Sequence, residues 1–310
     1  MQYYIKVSAF IICGILCLLQ IVSAPIALLL GIIASNTLGH SFPNLNSKVS
    51  KKLLQFSIVG LGFGMNIEDA FASSVNSLLL IVVTIFGTII IGYFIGKNLR
   101  VDKKISCLIS VGTAICGGSA IAATAPIVNA DENHITVSMS TVFILNSIAL
   151  LIFPVIGHYI PLTEIQFGYW SAIAIHDTSS VVGAASQYGK EALAIATSIK
   201  LTRALWIVPL SLLTAIFYKR NSGKIKIPWF IILFVLSMTL NSYVPGLPLF
   251  STYIVTLAKS SLILTIFLIG SGLSWNYIKK TGQRPLIQGV ILWTVISISS
   301  LLTIIFFTKM

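Results

Sequence analysis

The sequence predicts an all-α polytopic membrane protein, and three observations support this fold class. Of the 310 residues, 56% are hydrophobic and only 9% are charged, whereas soluble domains carry about a quarter charged residues. The mean hydropathy is +0.96. The apolar residues also form runs close to the roughly 20 residues that a helix needs to cross a bilayer. We therefore expect a single transmembrane domain over residues 1–310, with no soluble domain.

About eleven apolar segments are bounded by charged or turn residues, and each is expected to be helical. They are Ile5–Val22, Ala24–Leu38, Leu53–Met65, Val75–Ile95, Ile105–Val128, Ile135–Ile156, Ile165–Gln187, Ala192–Tyr218, Ile227–Val244, Tyr253–Leu273 and Pro285–Phe307.

Basic residues exceed acidic ones by 20 to 8 and gather in short loops between the apolar segments. The clusters are Lys48, Lys51 and Lys52; Lys97, Arg100, Lys103 and Lys104; Lys219, Arg220, Lys224 and Lys226; and Lys279, Lys280 and Arg284. With all eleven segments crossing, every cluster falls on one side, as the positive-inside rule requires. We expect a multi-pass protein of the bacterial cytoplasmic membrane with its N-terminus cytoplasmic and its C-terminus outside, and no nucleic-acid partner.

Two of the segments contain interruptions. Ile105–Val128 is broken at Cys116–Ser119 and Ile165–Gln187 at His176–Ser180, where helix propensity falls and polar groups appear at mid-depth. These patterns predict two discontinuous helices, which either cross the membrane or return as re-entrant hairpins. Two hairpins in place of two crossing segments change the number of crossings by two. Counting charges therefore does not distinguish the two possibilities.

Internal similarity predicts an inverted repeat, the usual construction of secondary transporters. Gly60, Gly62 and Asn66 recur 210 residues later as Gly270, Gly272 and Asn276, which we interpret as packing or gating positions. The two interruptions also align, with Ala114–Ile121 matching Ala174–Val181 after 60 residues. This second pair would be inverted only if both segments are hairpins.

Ionisable residues are rare at mid-membrane because they cost several kcal/mol, so each deep one needs a partner or a task. Asp177 is the only deep acid, and Lys200 and Arg203 reach a similar depth. We expect Asp177 and His176 to couple transport to protons or sodium. The alternatives are a structural Asp177–Arg203 ion pair, or basic side chains that extend to the interface.

Exposed half-helix N-termini at the interruptions are expected to bind a small anion, assisted by the basic side chains. The expected substrate-binding residues are Cys116, Gly117, Gly118, Ser119, Thr178, Ser179, Ser180, Lys200 and Arg203. The four cysteines contain no C-x-x-C pair and the histidines show no metal-ligand spacing, so no metal and no cofactor is expected.

Three stretches resemble a known family: Gly60–Phe71, Cys116–Pro126 and the specific motif H-D-T-S-S-V-V-G-A-A at His176–Ala185. Together they resemble the bacterial YeiH-like family, which is labelled as sulfate exporters, over essentially the whole chain. The first two also look like motifs of bile acid:sodium symporter relatives. This second likeness implies a core domain that moves against a panel domain. The resemblance implies no cofactor, and it makes sulfur oxyanions such as sulfate a candidate substrate class.

The sequence thus predicts a secondary transporter in the lipid bilayer, and we expect it to export a small anion coupled to protons or sodium. A homodimer is compatible with the sequence. One alternative is a sodium-coupled symporter of a carboxylate or other small solute. A membrane-embedded enzyme would need a nucleophile, for which Cys116 and His176 are the only candidate pair. A channel fits interrupted helices less well.

Overall fold

The computed structural model describes residues 2–37, 43–207, 209–210, 213–214, 229–244, 247–272 and 282–307. Within these ranges the chain forms fourteen α-helices and no strand, so the all-helical prediction is confirmed there. The helices are α1 (Gln2–Leu18), α2 (Ala24–Thr37), α3 (Pro43–Gly62), α4 (Ile67–Asn76), α5 (Leu78–Asn98), α6 (Lys103–Ala114), α7 (Gly118–Thr124), α8 (Glu132–Tyr159), α9 (Glu164–Ala174), α10 (Thr178–Tyr188), α11 (Lys190–Leu205), α12 (Trp229–Tyr243), α13 (Leu247–Ser271) and α14 (Gln283–Phe307).

Four stretches of helix in the described part of the chain are long and apolar enough to cross a membrane: Leu78–Asn98, Glu132–Tyr159, Phe250–Ser271 and Gln283–Phe306. Their outer surfaces carry large exposed apolar side chains, such as Leu79 in α5 and Leu302 in α14. Extended apolar surface of this kind is unusual in a soluble monomer and suits contact with lipid.

The short helix α4 was not predicted, since most of it lies between the expected segments Leu53–Met65 and Val75–Ile95. Glu68 and Asp69 lie in its first turn, where negative charge is favourable. The Oδ1 atom of Asn66 accepts the Glu68 backbone N–H at 2.7 Å, which caps the start of the helix.

The chain divides into two compact units. Unit 1 comprises Met1–Phe71 and Pro228–Asn276, and unit 2 comprises Ala72–Ile227 and Tyr277–Met310. Unit 1 therefore contains α1–α3, α12 and α13, and unit 2 contains α5–α11 and α14.

Small residues allow the helices of unit 1 to pack closely. A Cβ atom on Gly60 of α3 would lie 2.7 Å from the Cβ of Ala258 in α13, and one on Gly62 would meet the Ser237 hydroxyl of α12. Gly270 of α13 lies against the backbone of Leu28 in α2. The two helices that carry the 210-residue match, α3 and α13, thus pack directly against each other.

In unit 2, α6 packs along the first half of the long helix α8, and the two helices run in the same direction. His134 Nε2 near the start of α8 lies 3.2 Å from Oδ1 of Asp102, the residue before α6. The Ser138 hydroxyl then donates to the Ile105 carbonyl at 3.4 Å. After α6 the chain turns back, since Leu108 packs with Ile121, Ala125 and Val128 in one apolar cluster. The Lys104 Nζ donates to the Asn129 carbonyl at 2.7 Å, so this segment ends beside its own beginning.

The second interrupted segment doubles back in the same way at the other end of α8. Trp170 of α9 stacks on Phe153 of α8, with ring centroids 4.3 Å apart, and α10 then returns. The Tyr188 hydroxyl at the end of α10 donates to the Leu162 carbonyl at 2.6 Å. The Glu164 carboxylate at the start of α9 accepts the Glu191 N–H at 2.9 Å. We call residues 102–131 hairpin 1 and residues 163–190 hairpin 2.

Candidate functional site

The tip of hairpin 1 consists of residues 115–117, between the end of α6 and the start of α7. Gly117 has φ 64° and ψ −124°, a conformation that a residue with a Cβ rarely adopts. A Cβ on Gly117 would lie 3.3 Å from Val142, and one on Gly118 would lie 3.0 Å from Phe143. Both neighbours belong to the middle of α8, so the tip lies about halfway along that helix.

The tip of hairpin 2 consists of residues 175–177, between α9 and α10. The His176 backbone N–H donates to Oδ1 of Asn146 at 3.0 Å. Asn146 is about 20 Å from either end of α8, given the rise of 1.5 Å per residue. The second tip therefore also reaches the middle of α8.

Asp177 is the N-terminal cap of α10. Its Oδ2 accepts the Ser180 backbone N–H and the Ser180 hydroxyl, both at 3.1 Å, and also the Ser179 hydroxyl. Sequence analysis assigned these serines to the substrate, whereas here they bind the carboxylate. The N-terminus of α10 is thus already supplied with a negative charge, which leaves it poorly suited to attract a second anion.

The two tips contact each other. A Cβ on Gly117 would lie 3.6 Å from the Cα of Asp177. Arg203 of α11 joins the two segments, because its Nε donates to the Ala114 carbonyl at 2.7 Å and its Nη1 to the Ile173 carbonyl at 2.8 Å. One side chain therefore stabilises the C-terminal ends of both α6 and α9, where positive charge is favourable.

Lys200 lies one turn before Arg203 and has the same kind of partner. Its Nζ donates to the Ile175 carbonyl at 2.7 Å and to the Ala172 carbonyl at 3.3 Å. Both basic side chains are fully buried, so neither extends to a membrane interface. Among the described residues, Asp177 forms no ion pair with Arg203, which removes the simplest structural alternative for that pair.

Several polar atoms around the tips lack hydrogen-bond partners within the described part of the chain. They are Nδ1 and Nε2 of His176, Nδ2 of Asn146, Nη2 of Arg203 and Oγ1 of Thr113. All four residues are at most 2% exposed. Buried polar groups are normally paired, so such a cluster is typical of a functional site.

A small recess lies beside hairpin 1. Its lining residues are Val111, Ile115, Ala120, Thr124, Ile207 and Leu210. The walls are apolar apart from Thr124, so this recess offers an anion few polar contacts. Asp177, at the tip of hairpin 2, is half-buried.

The remaining predicted site residues divide between the two units. Cys116 is buried at the tip of hairpin 1, Ser119 lies in the first turn of α7, and Thr178 opens α10. The glycines at 60, 62, 270 and 272 belong to unit 1, as does Asn66, and Asn276 lies outside the described residues. The basic residues 219–226 and 279–280 also lie outside them.

Sequence analysis missed Asn146, the residue that holds the backbone of the second tip. The available signal was the single amide of the segment Ile135–Ile156, whose other polar residues are serines and threonines. The predictions at this depth covered ionisable groups and the residues of the interruptions, although a buried amide also needs partners.

At the open end of hairpin 1, Asp131 caps α8, and we expect this cap to weaken in acid. Asp131 accepts the His134 backbone N–H at 2.9 Å, and this bond holds the pKa of the Asp131 carboxyl below its ordinary value. A lowered pKa stabilises the cap above the unfolded-state pKa of about 4, and the stabilisation is lost as pH falls through the folded value. We expect hydrogen-exchange protection of the first turn of α8 to fall in acid, and to fall less in Asp131→Asn. Equal acid sensitivity in both proteins would contradict this role.

Comparison with known proteins places the chain in a family. Residues 2–289 match the model of the family described as "Conserved hypothetical protein 698". A "UPF0324 membrane protein" of Bacteroides thetaiotaomicron is 52% identical over 92% of this chain and 87% of that protein. Proteins with the same description from Photobacterium profundum and Porphyromonas gingivalis are 49% and 48% identical, over 95% and 89% of this chain and 90% and 85% of their own lengths. No solved structure matches. The chain therefore belongs to the UPF0324 family of bacterial membrane proteins, the YeiH-like family whose motifs the sequence carries.

Proposed function

We propose that this protein is a secondary active transporter of a small anion, coupled to protons or sodium. The observation that carries the proposal is the meeting of two hairpin tips around Asp177, His176 and Arg203, against the middle of α8. Broken helices that meet at the interface of two repeats are the usual substrate site of secondary transporters.

The path of the chain supports two re-entrant hairpins of opposite orientation. Hairpin 1 begins and ends beside the start of α8, and hairpin 2 begins and ends beside its end. If α8 crosses the bilayer, the hairpins enter from opposite faces and α6–α7 and α9–α10 are inverted equivalents. With this arrangement the 60-residue match would be an inverted repeat, and all four basic clusters would still be expected on one side.

The contacts of the tips support a role beyond packing. Irregular backbone at membrane depth is tolerated only inside protein or beside a water-filled cavity. Here Lys200 and Arg203 satisfy the carbonyl groups that the interruptions leave free, at the cost of burying two cations. Neutral side chains with donor groups would satisfy the same carbonyls without the cost of burying charge. The use of two buried cations therefore favours a site that binds an anion.

Asp177 and His176 are the proposed coupling residues. The half-buried Asp177 carboxylate has hydroxyl oxygens beside it, so it could exchange a proton or contribute to a sodium site. The division into two units is compatible with a core and a panel, with the core being unit 2.

The alternatives differ in what the tips must do. A sodium-coupled symporter of a carboxylate or another small solute would use the same site, with sodium at Asp177. An enzyme would need Cys116 activated by His176. Neither ring nitrogen of His176 has a partner within the described chain, so this pair is not assembled.

The test is flux into proteoliposomes that contain the purified protein. Imposed proton or sodium gradients should drive movement of sulfate, sulfite or a carboxylate, and dissipating the gradient should abolish it. Flux that equals that of protein-free liposomes for every solute and gradient would overturn the proposal.

A further inference from the structure

The tips contain more hydrogen-bond donors than acceptors. Two N–H groups on Nδ2 of Asn146, two on Nη2 of Arg203 and one on the His176 ring lack acceptors within the described residues. The acceptors left over are the second nitrogen of a neutral His176 ring and the hydroxyl oxygen of Thr113, whose own hydrogen is a further unpaired donor. A bound water would not balance this set, because water donates as many hydrogen bonds as it accepts.

These groups belong to one place in the fold. Oδ1 of Asn146 is bonded to the His176 backbone N–H, which fixes the amide beside the tip of hairpin 2. Arg203 is bonded to the Ile173 carbonyl, one turn before that tip. The three side chains are all at most 2% exposed, so bulk water does not compensate for the missing acceptors.

The charge at this place is also unbalanced. Arg203 and Lys200 are fully buried and bind only neutral carbonyl groups. The nearest acid, Asp177, has its Oδ2 engaged by Ser179 and Ser180 in the first turn of α10. A ligand that supplies acceptors and negative charge together would therefore satisfy both deficits.

We infer that Asn146, His176 and the free Nη2 edge of Arg203 form the binding site for a small anion with several oxygen acceptors and no donors. This inference rests on the proposed function and assigns its substrate site to side-chain donors in place of the half-helix N-termini. Asn146 becomes a specificity-determining residue, because its Oδ1 fixes the tip and its Nδ2 faces the ligand. Lys200 holds the tip and does not bind the anion.

The test measures binding without transport, by calorimetry and thermal shift of the purified protein in detergent. The probes are sulfate, phosphate, nitrate and acetate, with chloride at equal ionic strength as the reference. We expect at least one oxygen-bearing anion to bind the wild type and raise its melting temperature.

The variant Asn146→Asp keeps an oxygen acceptor for the His176 backbone N–H and replaces only the donating Nδ2. We expect at least about tenfold weaker binding of that anion, the effect of losing one charge-assisted hydrogen bond and adding a like charge. The matched control is Asn241→Asp in α12 of unit 1, which makes the same change outside the site and should leave binding within about twofold of wild type.

A second variant keeps the inference testable if Asn146→Asp does not fold. Arg203→Lys keeps a cation near the two carbonyls but removes the free guanidinium edge, and it should also weaken binding at least about tenfold. Wild-type binding by either variant, or no response of the wild type to any of the four anions, would overturn the inference. In the latter case, gradient-driven flux of sulfate, sulfite or a carboxylate would leave the proposed transport intact and place its substrate site elsewhere. Anion binding without any flux would overturn the transport proposal and leave this site standing.

Discussion

Replacing Asp177 by asparagine is expected to reduce ion-coupled flux to the rate of protein-free liposomes, while the protein still folds. Asparagine caps helix N-termini as well as aspartate does, so the Ser180 N–H keeps its acceptor and α10 remains anchored. The substitution removes the charge that would bind a proton or sodium. The measurement compares initial flux rates under an imposed gradient, alongside the melting temperature of each protein.

Asp102→Asn is the matched control for Asp177→Asn. Asp102 also caps a helix, α6, by accepting the Lys104 N–H at 2.8 Å and the Ile105 N–H at 3.3 Å, but it lies at the open end of hairpin 1. We expect near-normal flux from this variant. Unchanged coupled flux in Asp177→Asn would remove Asp177 from the mechanism, whatever the control shows.

Replacing Arg203 by alanine is expected to produce the largest loss of stability among single substitutions at the tips. The change leaves the carbonyls of Ala114 and Ile173 buried without partners and opens a cavity between α6, α9 and α11. Each unpaired buried group costs about 1–3 kcal/mol, so we expect a destabilisation of at least about 3 kcal/mol once the cavity is included. Anion binding should also weaken.

The measurement for Arg203→Ala is the unfolding midpoint in detergent, with Arg100→Ala as the control. Arg100 is exposed and lies between α5 and α6, so its removal should change stability by about 0.5 kcal/mol or less. Equal midpoints for Arg203→Ala and Arg100→Ala would show that Arg203 does not join the two hairpins.

Much of the fold could be predicted because hydropathy and helix propensity are local properties. The apolar runs correspond to helices in the described residues, and loss of propensity indicated the region of both helix ends near Cys116 and His176. The exact ends differ by one to three residues, and the largest difference arises because Ser179 and Ser180 belong to α10 and bind its cap. Local composition does not specify which residue becomes the cap.

The arrangement of the tips could not be predicted, for two physical reasons. The basic loops fall on the same side whether the interrupted segments cross or return, so the charge pattern contains no information on that choice. Lys200 and Arg203 bind main-chain carbonyls, which every residue has, so their partners carry no sequence signal. Asn146 was overlooked because a single amide among the apolar, serine and threonine residues in the middle of α8 does not indicate which groups it contacts.

The most direct test of the account determines from which membrane face each hairpin opens. Single cysteines at Asn129, at the end of hairpin 1, and at Lys190, at the end of hairpin 2, would be introduced into a protein lacking its native cysteines. They would be labelled with a membrane-impermeant maleimide in right-side-out and inverted vesicles, with Arg100→Cys marking the cytoplasmic face. We predict that position 129 labels from the same face as position 100, and position 190 from the opposite face. Labelling of positions 129 and 190 from one face, opposite position 100, would mean that both segments cross the membrane and would contradict the account.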